Sequence, residues 1–278
     1  MTRLVKALMA SAAVVAMTIA ISPAGAGTLP YTFAPGGIPG VVAPPAPFTA
    51  TDIQGVSDAL VRQTSIVGGG TQVETGWDVF TGMTNGGTVL FSSTTGLTTK
   101  YQLYITYTAT VQGLIGFGPN QSGTLTAFTF SLLADPLLDD AFVPGAISAT
   151  GGTVPTVTNT GNDILLATGS LVSGSAGFAP TTGAPFLDVI TTFSLTAAGN
   201  LVFTAPVPFY NFAFTSTIPS SASNITPGGT NPPNATINSI VSDTSFIPEP
   251  ASLALLGSAL LGFGVAHRRR RKQQSGQA

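Results

Sequence analysis

Residues 101–111, YQLYITYTATV, alternate apolar and polar side chains over their whole length. One set consists of Tyr101, Leu103, Ile105, Tyr107, Ala109 and Val111, and the other of Gln102, Tyr104, Thr106, Thr108 and Thr110. Successive side chains of a β-strand point to opposite faces of its sheet, so this period of two predicts a strand. We expect the first set to face a core and the second to face water, as in an antiparallel sheet.

The surrounding sequence repeats this pattern in short segments separated by Gly, Pro and Asn. The further predicted strands are residues 73–81, 88–92, 125–133, 164–172, 186–196, 209–217 and 234–241. Asn85, Gly86 and Gly87 form a turn signal before the second of them. Only residues 51–64 have a helix-like spacing of apolar side chains. We therefore predict an all-β protein with a single antiparallel β-sandwich domain, jelly-roll-like, over residues 48–243.

The N-terminus has the three parts of a secretory signal peptide. Arg3 and Lys6 precede an apolar stretch over residues 7–21, and Ala24 and Ala26 form an A-x-A cleavage site. We expect cleavage after Ala26, which removes the first 26 residues. The chain is therefore predicted to be exported, and this segment is left out of the fold prediction.

Residues 27–47, between the signal peptide and the predicted domain, are rich in proline and glycine. The prolines are Pro30, Pro35, Pro39, Pro44, Pro45 and Pro47. Proline fixes the backbone angle φ and cannot donate a backbone hydrogen bond, which disfavours regular sheet pairing. This composition predicts an extended leader or a loosely packed arm.

The C-terminal region contains three consecutive features. Pro248, Glu249 and Pro250 form a tripeptide that its prolines hold extended. The uncharged apolar run over residues 251–266 predicts a transmembrane helix about 24 Å long. A basic stop follows, which is costly to move across a bilayer and consists of Arg268, Arg269, Arg270, Arg271 and Lys272. Taken alone, the apolar run would also fit a buried helix or a plain tail anchor.

In this order and at this end of the chain, the three features resemble the PEP-CTERM protein-sorting signal of bacteria, here over residues 244–272. The resemblance implies that the helix holds the chain transiently in the inner membrane, with the basic residues on the cytoplasmic side. An exosortase would then recognise Pro248, Glu249 and Pro250 and release or transfer the body. The chain would be the substrate of that reaction, and it would end at the cell surface or outside the cell.

Three stretches of the predicted domain resemble segments of flocculation-associated PEP-CTERM proteins. They are GTLTAFTF at residues 123–130, LLATGSL at residues 165–171 and PFYNFAF at residues 208–214. This resemblance implies a role in floc or biofilm formation, with an exopolysaccharide as the matrix partner. It carries no catalytic residue and no cofactor onto this chain.

Between its two terminal signals the chain is acidic and carries few charges. Residues 27–247 contain ten acids against two bases, Arg62 and Lys100, for a net charge of −8. Nucleic-acid binding needs clustered Lys and Arg side chains, so the composition excludes it. Only 7% of all residues are charged, and solubility must come from hydroxyl, amide and glycine residues.

The composition also limits the chemistry of the body. There is no cysteine, and the only histidine, His267, lies in the C-terminal tail. This excludes from the body a Ser-His-Asp triad, a Cys-His pair and metal sites built on histidine or thiolate. Glu74 and Asp78 are four residues apart on one face of a predicted strand and are conceivable as a glycosidase pair. We expect them instead on the solvated face, and predict no catalytic residue, no cofactor and no enzymatic activity.

Two predicted loops concentrate oxygen ligands. One contains Asp135, Asp139 and Asp140, and the other contains Asn159, Asn162 and Asp163. Either set is suited to Ca²⁺, which prefers carboxylate and amide oxygens, but neither has the spacing of an EF-hand. Asp and Asn in loops more often stabilise turns and helix caps, and we predict no metal site.

Three functions fit the body. The first is a structural or adhesive role in the extracellular matrix, acting through the surface of the sheet. The second is a secreted carbohydrate-binding module, in which Tyr104 on the polar face of its strand would stack on a sugar. Trp77, the only tryptophan, shares a face with Val73 and Val79, and we expect it to be a core anchor. The third is a carboxylate-dependent glycoside hydrolase.

Overall fold

The computed structural model describes residues 28–210, 212–215, 225–228 and 233–247. The predicted signal peptide, sorting tripeptide, apolar run and basic stop lie outside these residues. Among the described residues, no helix has both the length and the apolar character needed to cross a membrane.

The described residues are organised mainly as β-strands, which confirms the predicted class. The strands are β1 Tyr31–Phe33, β2 Phe48–Ala50, β3 Asp52–Ser65, β4 Thr71–Asn85, β5 Thr88–Leu90, β6 Gln102–Gln112, β7 Gln121–Asp135, β8 Ala141–Val143, β9 Thr156–Thr158, β10 Ile164–Phe178, β11 Pro185–Thr192, β12 Ser194–Leu195, β13 Phe203–Ala205, β14 Phe212–Thr215, β15 Ile225–Gly228 and β16 Asn234–Phe246. The helices are short: α1 Ser92–Thr95, α2 Gly199–Val202 and the 3-10 turns Pro35–Gly37, Val67–Gly69 and Thr160–Asn162. Each predicted strand overlaps an observed one.

Eight strands form one curled sheet that closes on itself. The hydrogen-bonded order is β11-β14-β16-β3-β4-β6-β7-β10, and β10 pairs in turn with β11. The pairings around this ring are all antiparallel. Closure leaves no unpaired edge in the ring, which is the usual way for a long antiparallel sheet to avoid edge-to-edge association. The predicted jelly-roll-like sandwich is not confirmed, because the long strands form one sheet and not two.

Strand β3 corrects the helix-like spacing predicted over residues 51–64. Ile53, Ala59 and Val61 point into the core of the closed sheet, as a period of two requires. The opposite face is covered as well, and Leu60 on that face is only 1% exposed. A strand buried on both faces loses the alternation of apolar and polar residues that marks a half-exposed strand, so the spacing was misleading.

The predicted leader contributes to the core. Strand β1 pairs with β2 and β13, and Tyr31 and Phe33 are both buried. Tyr31 contacts Phe246 with ring centroids 5.1 Å apart, and the backbone N–H of Leu29 donates to the carbonyl of Phe246 at 2.9 Å. This segment therefore packs at the end of the closed sheet where β16 ends, and it is not a loose arm.

Buried amides fill the opposite end of the closed sheet. Gln63 Nε2 donates to the carbonyls of Thr71 and Leu114, each at 3.0 Å. Gln72 Nε2 donates to Gln63 Oε1 at 3.2 Å and to the carbonyl of Gly116 at 2.7 Å. Both side chains are almost fully buried. They satisfy backbone carbonyls where the strands diverge into loops, which would otherwise be costly to bury.

A segment that we term the cap, residues 136–163, lies on the outer face of the sheet. It connects β7 to β10 and contains the β8–β9 hairpin. Arg62 Nη2 donates to the carbonyl of Gly152 at 2.8 Å, and Asp58 Oδ1 accepts from the N–H of Gly145 at 2.9 Å. One of the two bases of the body therefore fixes the cap to the sheet.

Candidate functional site

The cap buries both aromatic residues considered for sugar stacking. Phe142 of β8 contacts Trp77 and Tyr104 edge-to-face, with ring centroids 5.3 Å and 5.2 Å away. Tyr104 is 1% exposed, so the prediction that it presents a stacking surface to solvent is wrong. Trp77 is 7% exposed, and its Nε1–H donates to the carbonyl of Val143 at 3.3 Å. Trp77 is therefore a buried anchor, as expected, but it packs against the cap on the outer face and not in the interior of the closed sheet.

The acidic loop after β7 is built around Asp135. Its Oδ1 accepts from the N–H groups of Leu137 and Leu138 at 2.8 and 2.9 Å, and its Oδ2 accepts from the N–H of Asp140 at 3.1 Å. These bonds close the turn that leads from the sheet into the cap. Carboxylate oxygens of Asp135, Asp139 and Asp140 lie within 4.8 Å of one another.

The second predicted oxygen-rich loop meets the first. Asn162 Nδ2 donates to Asp139 Oδ1 at 3.1 Å, and Asn159 Nδ2 donates to the carbonyl of Asp139 at 2.7 Å. The hydroxyl of Tyr104 donates to Asp163. The two loops, which are separate in the sequence, therefore form one acidic cluster at the edge of the cap.

The charges in this cluster oppose one another. Burial, followed by the neighbouring Asp163 and Asp135 carboxylates, raises the pKa of Asp140 to about 7. Burial also raises the pKa of Asp163, against the hydrogen bond from Tyr104, which lowers it. A proton shared within the cluster or a hard cation would relieve the repulsion. The hydrogen bonds of Asp135 close a turn, and those of Asp139 join the two loops.

We expect the protein to be more stable at mildly acidic pH than at neutral pH. Burial raises the pKa of Asp78 and of Asp140 to about 7, above the ordinary value of about 4 in an unfolded chain. The folded state then binds more protons than the unfolded state between these values, so the stability that these two carboxyls contribute is fully present below about pH 4 and is lost as the pH rises through about 7.

Thermal unfolding followed between pH 5 and pH 8 measures this dependence. The melting temperature should fall across that interval, and Asp140→Asn should reduce the slope because the amide does not titrate. A melting temperature that rises towards pH 8 would contradict the assignment of these raised pKa values.

Glu74 and Asp78 lie on the inner face of β4, which corrects their predicted placement on a solvated face. Glu74 is 9% exposed and accepts a hydrogen bond from the hydroxyl of Tyr107 at 2.7 Å. Asp78 is 3% exposed and packs beside Ser242, where Gly55 leaves the necessary space, since a Cβ there would lie 2.2 Å from Asp78 Oδ1. Burial raises the pKa of both carboxyls. Both groups face the interior of the closed sheet, whereas a glycosidase pair must flank an open cleft.

An open groove lies beside the cap on the outer face of β4, β6 and β7. It has a volume of about 250 Å³. Hydroxyl side chains line its floor, namely Thr75, Thr106, Thr108, Thr129 and Ser131. Pro155 and Val157 from the cap form one wall, and Trp77 is also among the lining residues. The sequence placed Thr106 and Thr108 on the polar face of their strand, but the groove requires the cap, which is distant along the chain.

The body ends in the core. Phe246, the last residue of β16, is 2% exposed and contacts Phe193 and Phe209 with ring centroids 4.9 and 5.0 Å away. The predicted tripeptide begins two residues later, at Pro248. The C-terminal features therefore follow the folded body without a long linker.

Comparison with known proteins identifies one segment. Residues 246–271 match the PEP-CTERM protein-sorting motif. This confirms the predicted sorting signal, while the likeness of the body to flocculation-associated proteins is not confirmed. No curated protein and no solved structure matches the chain.

Proposed function

We propose that this chain, which carries a PEP-CTERM sorting motif, is an exosortase substrate whose folded body has a structural or adhesive role in the extracellular matrix. The motif implies export across the membrane and a surface or extracellular location. In the proposed pathway the apolar run holds the precursor in the inner membrane, and the basic stop keeps its tail on the cytoplasmic side. The exosortase then acts at Pro248, Glu249 and Pro250.

The observation that carries this proposal is the position of the motif relative to the body. The match begins at Phe246, which is also the last residue of β16, the final strand of the described residues. Every strand of the closed sheet is therefore complete before the tripeptide, and cleavage there leaves the core intact. The tripeptide follows the folded body directly, so an enzyme in the membrane would meet it next to the membrane surface.

The chemistry of the body supports a non-catalytic role. The two acids considered as a hydrolytic pair are enclosed by the sheet, and Glu74 already binds Tyr107. In the acidic cluster, Asp135 accepts hydrogen bonds that close a turn, and Asp139 accepts one from Asn162. What the body presents to solvent is a curved sheet with many hydroxyl side chains and a net negative charge. Such a surface suits cohesion within a hydrated polymer matrix more than turnover of a substrate.

Deleting the gene for this chain in its own bacterium tests the matrix role. We expect weaker cell aggregation and a matrix that washes off more readily, with recovery when the wild-type chain is supplied. Supplying a chain that ends at residue 247 is the matched control for sorting, because it keeps the described body and lacks the motif. Unchanged aggregation in the deletion strain would contradict the matrix role.

A further inference from the structure

The floor of the open groove is a regular array of hydroxyl groups. Thr108 on β6 lies opposite Thr75 on β4 and Thr129 on β7, and Thr106 on β6 lies opposite Ser131 on β7. Neighbouring strands are about 4.8 Å apart, and residues two apart on one strand are about 6.8 Å apart. The array therefore presents hydroxyls at fixed intervals in two directions.

These hydroxyls are available to a ligand. Within the described part of the chain, none of the five makes a side-chain hydrogen bond, in contrast to Ser170 and Thr192, which bond to each other 3.1 Å apart on β10 and β11. Threonine is restricted to few χ1 rotamers, so its hydroxyl is partly pre-organised before a ligand arrives. Pre-organisation lowers the entropic cost of binding.

The side chains that line the groove are uncharged, and those from the cap are apolar. No Asp, Glu, Lys or Arg is among the residues that line it. Pro155 and Val157 supply an apolar wall, and Trp77 is also among the lining residues. A hydroxyl both donates and accepts a hydrogen bond, so a row of them can match the hydroxyls of a sugar in either orientation. Apolar walls with a few convergent polar groups are the usual composition of a ligand site.

We propose that this groove binds a strand of a neutral polysaccharide, with Thr75, Thr106, Thr108, Thr129 and Ser131 bonding the sugar hydroxyls. The proposal rests on the matrix role, and it specifies a neutral polysaccharide as the matrix component that the body would bind. An anionic polymer is disfavoured, because the groove offers no cation and the body carries a net charge of −8. The proposed hydrogen bonds come from hydroxyls on the sheet, and Tyr104, which was considered from the sequence, is not among the residues that line the groove.

The test uses the protein isolated from the expressing strain and three soluble probes, namely hydroxyethyl cellulose, a galactomannan and alginate. Migration in native gels containing each polymer reports binding. We expect retardation by at least one neutral polymer, little retardation by alginate, and no dependence on salt, since no ion pair is formed. Thr108→Val combined with Thr129→Val should weaken binding about tenfold, as expected for the loss of two hydrogen bonds.

Valine keeps the β-branched shape of threonine and its preference for strands, so the double variant should remain folded. Thr81→Val is the matched control, because Thr81 is exposed on β4 outside the groove, and its binding should be unchanged. Full binding by the double variant, failure of the wild type to bind either neutral polymer, or preferential binding of alginate would each overturn the proposal. If the deletion strain aggregates less, as expected, and any of these three results is also obtained, the matrix role is retained and only the proposed groove binding is rejected.

Discussion

Replacing Phe246 by alanine is expected to lower the free energy of unfolding by about 3–5 kcal/mol. Its ring is 2% exposed and lies 4.9 Å from the ring of Phe193, 5.0 Å from that of Phe209 and 5.1 Å from that of Tyr31, centroid to centroid. Truncation removes these contacts and leaves a cavity among rigid aromatic neighbours, which cannot close around it fully. It also loosens the end of β16, where the body meets the sorting motif.

Urea unfolding of the mature protein measures this loss. Phe91→Ala is the matched control, because that ring is 72% exposed, and its removal should change the unfolding free energy by no more than about 0.5 kcal/mol. Equal effects of the two substitutions would show that Phe246 is not part of the core. Such a result would also remove the argument that the body is complete immediately before the motif.

Glu249→Ala is expected to stop processing and to trap the uncleaved precursor in the inner membrane. Glu249 is the only charged residue between residues 244 and 266, so it is the natural group for a basic or hydrogen-bonding pocket of the exosortase to recognise. Proline fixes φ and disfavours helix at the residue before it, so the flanking Pro248 and Pro250 favour an accessible, extended recognition segment in the proposed pathway. The residue lies beyond the last strand, so export and folding should be unaffected.

Membrane fractionation and immunoblotting of the precursor and mature forms measure the effect. Ser252→Ala, three residues away and outside the tripeptide, is the matched control and should be processed normally. Glu249→Gln separates charge from hydrogen bonding, since the amide keeps the size of the side chain. Normal maturation of the Glu249→Ala chain would mean that the tripeptide is an ordinary loop whose glutamate is dispensable.

The sequence predicted most of the longer strands, and it missed β3, which is buried on both faces, together with several strands of three or four residues. The alternation over residues 101–111 predicted β6 almost to its ends, because one side of that strand faces the core and most of the other carries threonine. In β3 the outer residues Asp58 and Leu60 are buried beneath the cap, so apolar and polar residues no longer alternate. The closing of the sheet could not be predicted, since it depends on β10 pairing with both β7 and β11.

The placement of the candidate site residues depended on contacts between distant parts of the chain. Asp58 and Gly145 are 87 residues apart, and Arg62 and Gly152 are 90 residues apart. No local pattern indicates that this segment returns over the outer face, so Tyr104 was expected in solvent. The two acidic loops were recognised separately, but their meeting at Asp139 depends on the same folding of the cap.

The sorting signal, in contrast, was fully predictable. It consists of a short tripeptide, an apolar run and a basic stop, and in the proposed pathway each acts through the membrane or through a processing enzyme. The signal can be recognised from local sequence without knowledge of tertiary contacts, and residues 246–271 match the sorting motif. The structure adds that the first matched residue, Phe246, is buried in the core of the body.

The intact mass of the protein recovered from the cell surface or the medium tests the central claim most directly. If an exosortase processes the chain, the mass should correspond to a mature form that begins near Gly27, retains Phe246, and ends near Pro248, Glu249 and Pro250, before the apolar run. A surface form whose mass still includes residues 251–272 would contradict the account.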